Sequence, residues 1–219
     1  MGLVITEAII LKTVKYSDNS VICNALTADQ GYVSFIASRS GKSNQSLTNH
    51  LRVMNILQLT YYTGKSSLIH RIKEASFAHI FQCVNVDVLK SICGTLIIEV
   101  VSNLVREEMH PNVSLYPILK EKLISLDQSE NLGPDIVIDT FIALLDFEGF
   151  IPFDNFSEKN THFNMVEGYF QQDYNEAYNV LTTARSTLFA HVLKHNILED
   201  IQDKIQVIED LIKYFSLQI

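Results

Sequence analysis

The sequence predicts an α+β chain, a small β-barrel followed by an all-helical bundle, and two independent observations predict it. The apolar residues recur with period two up to about residue 75 and with a helical period beyond residue 80. The sign of the charge changes at the same place. With 219 residues, 47% hydrophobic and 19% charged, the chain is long enough for one large domain or two small ones, and disorder is excluded. The expected boundary puts residues 1–79 in the barrel and 80–219 in the bundle.

Five segments rich in Val, Ile, Leu, Thr and Tyr read as strands: Val4 to Leu11, Ser20 to Thr27, Tyr32 to Ala37, Val53 to Tyr62 and Leu68 to Lys73. Turn signals separate them at Ser17-Asp18-Asn19, Asp29-Gln30-Gly31 and Thr63-Gly64-Lys65. The stretch Ser38 to Asn49 is polar and lacks apolar periodicity, so it is expected to be an exposed, mobile loop carrying Arg39 and Lys42. Five short strands in so few residues are too few for a wide sandwich. They suit a five-stranded OB-fold barrel, with an SH3-like barrel as the competitor.

From Val88 the apolar residues come in pairs every fourth position as far as Leu104/Val105, a stripe that winds around a helix and marks it as central. Asn85 or Asp87 can cap its start and Pro111 ends it. Further helices are expected at about Ser114 to Leu126, Pro134 to Glu148, Asn175 to Leu198 and Ile201 to Leu217. Phe163 to Phe170 is expected to be a small hairpin or an irregular packing arm.

The net charge of −8 hides an asymmetry. Residues 1–75 hold eight Lys and Arg against four Asp and Glu, which is +4; residues 76–219 hold the other nine against twenty-one, which is −12. Such a contrast points to a polyanion-binding portion joined to a part that stays clear of the polyanion. Charges interrupt the apolar runs, Glu99 within the longest, so no membrane span is expected. The start MGLVITEAIILK lacks a basic leader and a small-residue cleavage site, which favours the cytoplasm. Cys23, Cys83 and Cys93 contain no C-x-x-C pair and are expected to be reduced.

The segment TEAIILKTVKYSDNSVICNALTADQGYVSFIA resembles the N-terminal pattern of the RecO recombination mediator family, through Ala8 to Thr13, Tyr16, Ser20, Leu26, Thr27 and Gly31. Leu68 to Ala75 looks like that family's last barrel strand. Val105-Arg106-Glu107-Glu108 with His110-Pro111-Asn112, and Phe147-Glu148-Gly149-Phe150-Ile151-Pro152, resemble later signatures, and Arg185, His195 and the Lys204 to Leu211 helix fall where the family has counterparts. The resemblance implies an OB barrel with a helical domain, binding of single- and double-stranded DNA, and annealing of complementary strands. It also implies cooperation with RecR and with the C-terminal tail of single-stranded DNA-binding protein in loading RecA, in a bacterial cytoplasm beside the nucleoid. The four-cysteine zinc module of part of the family is absent, so neither a metal nor another cofactor is expected.

Phosphates are bound by cations strung along a groove, and Lys12, Lys15, Arg39, Lys42, Arg52, Lys65, Arg71 and Lys73 are the candidates. Arg71 and Lys73, two apart on a strand, are expected to share a face. Tyr32, with Tyr16, Phe35, Tyr61 and Tyr62, is a candidate stacking platform, and of the consecutive Tyr61 and Tyr62 only one can face a strand. In the acidic part, Arg106, Lys120, Lys122 and Arg185, with Lys194 and Lys204, are the scarce cations available to an acidic tail peptide. His191 and His195 have ligand spacing on the expected helix, but no H-E-x-x-H and no third ligand accompany them. Glu107/Glu108 and Glu199/Asp200/Asp203 read as helix-end charges. No phosphate loop, dinucleotide fingerprint or nucleophile elbow is present, so an enzyme is not expected. The alternative is an interaction scaffold whose barrel binds a protein and has no direct DNA role.

Overall fold

The computed structural model describes residues 2–38, 47–64, 68–107, 113–130, 133–175 and 179–218, with the side chains of Arg106 and Glu107 excepted. Arg39, Lys42, Lys65 and the helix stop at Pro111 lie outside the described residues. Strand gives way to helix after His79, but the compact units divide later, at Met1–Ser129 and Glu130–Ile219. The physical reason is that the first two helices pack with the barrel.

In the first unit the strands are β1 (Gly2–Ser17), β2 (Ser20–Thr27), β3 (Gly31–Ser38), β4 (Ile56–Thr63) and β5 (Ile69–His79), followed by helices α1 (Val88–Glu107) and α2 (Leu115–Gln128). The strands close into a barrel in the order β1-β2-β3-β5-β4. Closure depends on β1, whose first half pairs with β4 (Gly2 opposite Thr63, Ile9 opposite Ile56) and whose second half pairs with β2 (Ala8 opposite Thr27, Ser17 opposite Ser20). A bulge between Ile10 and Lys12 bends it from one ladder to the other. The ring shuts through a short parallel pairing of β3 with β5, Ser34 to Ile36 against Ile69 to Arg71.

Alternation then fills the interior. Ala8, Ile10, Cys23, Ala25, Val33, Phe35, Leu57, Leu59, Tyr61 and Ile72 all point inward and are buried. Phe35 and Tyr61 meet edge to face at 5.1 Å. The expected loop is corrected at its end, since residues 47–50 form one helical turn that seats Leu47 and Leu51 in the same core. Two leucines four apart follow a helical turn, a pattern too short to stand out as periodicity.

Asp87 caps α1, its carboxylate accepting the Lys90 N–H at 3.0 Å. Only one side of α1 is buried, through Cys93, Ile97, Val101 and Leu104, while Val88, Leu89 and Ile92 in its first turns are exposed. The helix is therefore not enclosed on all sides as its winding stripe predicts. Residues Val88–Val105 have a mean hydropathy of 1.7, and by length and composition this stretch could cross a membrane despite Lys90 and Glu99. The burial of one side against its own unit is the pattern of a core helix. The buried Lys90 donates to the carbonyls of Asp127 at 2.9 Å and Ser129 at 2.5 Å, closing the end of α2.

The second unit contains α3 (Gly133–Phe147), a hairpin of β6 (His162–Asn164) and β7 (Tyr169–Gln171), α4 (Thr183–Leu193) and α5 (Ile201–Gln218). The expected helix from Asn175 to Leu198 is shorter at both ends. The Thr182 hydroxyl caps it by accepting the Arg185 N–H, and His195, at φ 57°, closes it with its N–H on the Val192 carbonyl. Asp200 caps α5 through the N–H groups of Gln202 and Asp203. Lys204, fully buried, reaches Asp135 at 2.8 Å and joins α5 to α3.

The hairpin is a packing arm. Phe163 stacks on Phe189 at 4.5 Å and touches Phe170 and Tyr214. The Asn155 side chain pairs with both backbone groups of Phe170. Gly168 turns the hairpin at φ 73°, and a Cβ there would stand 2.8 Å from the Tyr214 hydroxyl, which donates to the Phe150 carbonyl. Gly168→Ala is expected to lower stability by about 1–3 kcal/mol, the strain of a left-handed alanine plus the displaced hydroxyl, measured by urea unfolding.

Candidate nucleic-acid interface

The five candidate barrel cations in the described residues, Lys12, Lys15, Arg52, Arg71 and Lys73, are all exposed. They do not form one line. Lys12 stands opposite Asn24, and Arg71 is flanked by Tyr62 and Ile36, so both face outward on the same side of the sheet. Lys15 stands opposite Val21 on the inward-facing side of β1, at the rim, where its ammonium meets Asp18 at 3.0 Å. Arg52 lies in the connection from the helical turn to β4.

Lys73 departs from the simple two-residue repeat. The register slips between Thr60 and Tyr61, pairing them with Glu74 and Ile72, so Lys73 occupies a bulge. Lys73 and Glu74 are consequently both exposed and bonded at 3.0 Å, and Glu74 holds the ammonium above its usual range. An exposed pair of this kind offers a phosphate less net charge than a lone lysine.

Tyr32 and Lys12 share an open cleft of about 390 Å³ between the outer faces of β1–β3 and α1, together with Asn24, Val53, Ile98, Glu99 and Asn103. Glu99 makes that cleft less positive than Lys12 alone would. Of the other aromatic candidates, Phe35 and Tyr61 are fully buried and cannot stack on a base, whereas Tyr62 is 38% and Tyr16 66% exposed. Sequence alternation had already required that Tyr61 and Tyr62 divide in this way.

Among the scarce cations of the acidic part, Lys120, Arg185, Lys194 and the already described Lys204 are engaged inside their own units. Lys120 meets the Glu7 carboxylate at 2.5 Å, and the Tyr116 hydroxyl donates to the same oxygen at 2.8 Å. The Lys120 and Tyr116 bonds outweigh desolvation and hold Glu7 below the usual carboxylate range. Arg185 grips Asp210 through two nitrogens, and Asp210 is wholly buried. Lys194 lies 3.6 Å from Asp154. Lys122 is half-buried on α2, and Arg106 stands in the last turn of α1 with its side chain outside the described residues. Nothing in the sequence period marks the Glu7 and Asp210 partners, which lie 113 and 25 residues away from their cations.

Burial pushes the Cys23 thiol up to about 12 and the Cys93 thiol up to about 11, so neither is poised as a nucleophile. His191 and His195 lose their common helical face because α4 ends at Leu193. Among the described residues no three His, Cys, Asp or Glu side chains gather to hold a metal ion.

A closed five-strand ring with antiparallel neighbours and one short parallel β3–β5 seam, carrying cations on its outer face and helices after it, defines an OB-like protein with a helical extension. Residues 1–81 match the family model described as the recombination protein O N terminal domain. The DNA repair protein RecO of Flavobacterium psychrophilum is 27% identical over 191 residues, covering 86% of this chain and 78% of the relative. That of Flavobacterium johnsoniae is 25% identical, covering 75% and 69%, and that of Azobacteroides pseudotrichonymphae is 24% identical, covering 87% and 79%. The barrel thus matches the RecO N-terminal model, and over most of its length the chain is similar to RecO DNA repair proteins.

Proposed function

We propose that this chain is a non-enzymatic recombination mediator of the bacterial cytoplasm, which binds single- and double-stranded DNA through its barrel and anneals complementary strands. With RecR it helps load RecA onto DNA coated by single-stranded DNA-binding protein. The observation that carries the DNA part is the outward placement of Lys12 and Arg71 on one side of a closed OB-like barrel in a portion of charge +4. Arg39, Lys42 and Lys65 belong to the same basic portion and are proposed to add to it. The acidic remainder is proposed to receive RecR and the acidic tail of single-stranded DNA-binding protein, with Arg106, Lys120, Lys122 and Arg185 as the cations to test.

Titrating a labelled oligonucleotide at several salt concentrations tests the reading. Affinity is expected to fall linearly on a log–log scale, with a slope of about −0.7 for each phosphate neutralised on a single strand. No binding at low salt, or affinity indifferent to salt, overturns it. Annealing assays with and without the cognate single-stranded DNA-binding protein test the partner. A scaffold reading draws on the neutralised Lys15 and Lys73. It predicts that the combined Arg71→Ala and Lys73→Ala change leaves both RecR capture and DNA binding intact.

A further inference from the structure

Helix α5 carries two apolar faces where its own packing needs one. Val207, Leu211, Tyr214 and Phe215 are buried with Lys204 and Asp210, and this side holds α5 to α3 and α4 through Asp135, Phe141 and Arg185. A second stripe, Ile201, Ile205, Ile208 and Ile212, is spaced by four, three and four residues, as in a helix–helix seam. It falls within about 60° of the helix circumference over roughly 17 Å. Ile201 and Ile205 are 40% and 43% exposed, and Ile208 and Ile212 are half-buried. Four residues before the stripe, Ile197 stands 76% exposed at a cleft of about 220 Å³. The floor of that cleft is Ile138, Ile142, Val192 and Leu198, and its rim includes Asp135 and Asp139. Isoleucine is only a middling helix former, and a water-facing one adds nothing to the core, so folding alone does not account for four of them in one stripe.

We infer that this stripe, with the Ile197 cleft at its start, is a docking face for a basic amphipathic helix presented by a protein partner. The spacing selects a helix, because apolar side chains three and four apart interleave with those of a facing helix. Charge selects a basic one. Residues 130–219 hold fifteen Asp and Glu against five Lys and Arg, which is −10. Three of the five, Arg185, Lys194 and Lys204, are already matched to Asp210, Asp154 and Asp135. Glu199, Asp200 and Glu209 are exposed beside the stripe, with Lys213 farther round the helix. Lysine or arginine on the flanks of a visiting helix therefore meets carboxylates, which steer it and set its orientation. A second copy of this chain would bring two bodies of the same sign together, and a nucleic acid would be repelled. The face is also separate from Arg185, whose partner Asp210 lies about 180° round α5 from the stripe, so it is not the surface proposed for an acidic tail. The inference goes beyond the mediator reading and stands whether or not the barrel binds DNA.

The test uses the full chain and a labelled helical peptide of about five turns, with leucines three and four apart and lysines on both flanks, read by fluorescence anisotropy. One control peptide has its leucines scrambled, and a second has glutamate in place of every lysine. Wild type is expected to bind the first peptide about tenfold more tightly than either control. The variant Ile201→Gln/Ile205→Gln keeps helix propensity and is expected to lose about tenfold in affinity for it, with an unchanged urea midpoint. Ile205→Gln alone serves if the double variant shifts that midpoint. Equal binding of either control peptide, equal binding by wild type and variant, or no binding of the lysine peptide at low salt overturns the inference. So does self-association of the wild type, seen by sedimentation, that the variant abolishes, which would make the stripe an interface between copies. Capture of the acidic tail of single-stranded DNA-binding protein that the variant loses overturns it as well, because the face would then serve the opposite charge. Oligonucleotide titration keeps the two readings apart: the variant is expected to bind DNA as wild type does, and a wild type that binds no DNA speaks only against the DNA-binding reading.

Discussion

Replacing Asp127 by alanine is expected to cost about 2–4 kcal/mol, because the carboxylate is the acceptor for three successive backbone donors. The N–H groups of Gln82, Cys83 and Val84 reach it at 2.9, 2.8 and 2.8 Å, fastening the segment after β5 to the end of α2. Without it, Val84 keeps a buried donor with no acceptor, while the exposed Gln82 and Cys83 can turn to water. Asp127→Asn retains one carbonyl oxygen and is expected to lose about half as much. Burial raises the Asp127 pKa, but the three backbone bonds outweigh it and the net shift is downward. A carboxylate whose folded pKa is lowered contributes its stability fully above the ordinary value of about 3.9 and loses it as pH falls through the folded value. Urea midpoints of wild type and Asp127→Asn should therefore converge as the pH falls below about 4. A gap that stays constant over that range contradicts this account.

Arg185→Ala is expected to cost about 3 kcal/mol, since it strands the wholly buried Asp210 without its counter-charge. The figure sits at the low end for such a pair because the Arg185 side chain is itself 38% exposed. Arg185→Lys keeps the charge but not the two-pronged grip and is expected to recover only part of the loss, measured by urea unfolding. The consequence for partner binding is direct. A failure of Arg185→Ala to capture the tail of single-stranded DNA-binding protein speaks to that partner only if the variant is folded under the assay conditions. Arg185→Ala combined with Asp210→Asn removes the stranded charge and supplies that control.

The change of period and of charge sign made the strand and helix regions legible, because alternation and helical spacing are local properties. The double duty of β1 was not legible. Val4 to Leu11 is rich in apolar strand formers, but its continuation to Ser17 is mostly exposed and polar, and only its pairing with β2 keeps it extended. Nor was the burial of Lys90 and Lys204, whose partners are helix-end carbonyls and an aspartate on another helix. At the candidate interface, alternation separated Tyr61 from Tyr62 correctly. It misled at Lys73, because a one-residue bulge leaves no mark in composition.

Each strand of the ring has a hydrogen-bonded neighbour on both sides. Closure protects the fully paired strands from the edge-to-edge self-association that open sheets risk, but the β3–β5 seam takes in only Ser34–Ile36 and Ile69–Arg71, so β5 beyond Arg71 is laddered on its β4 side alone. A helper strand that zipped onto that stretch should slow amide exchange along β5, whereas a helper that docks by side-chain contact on faces or loops should leave it unaltered.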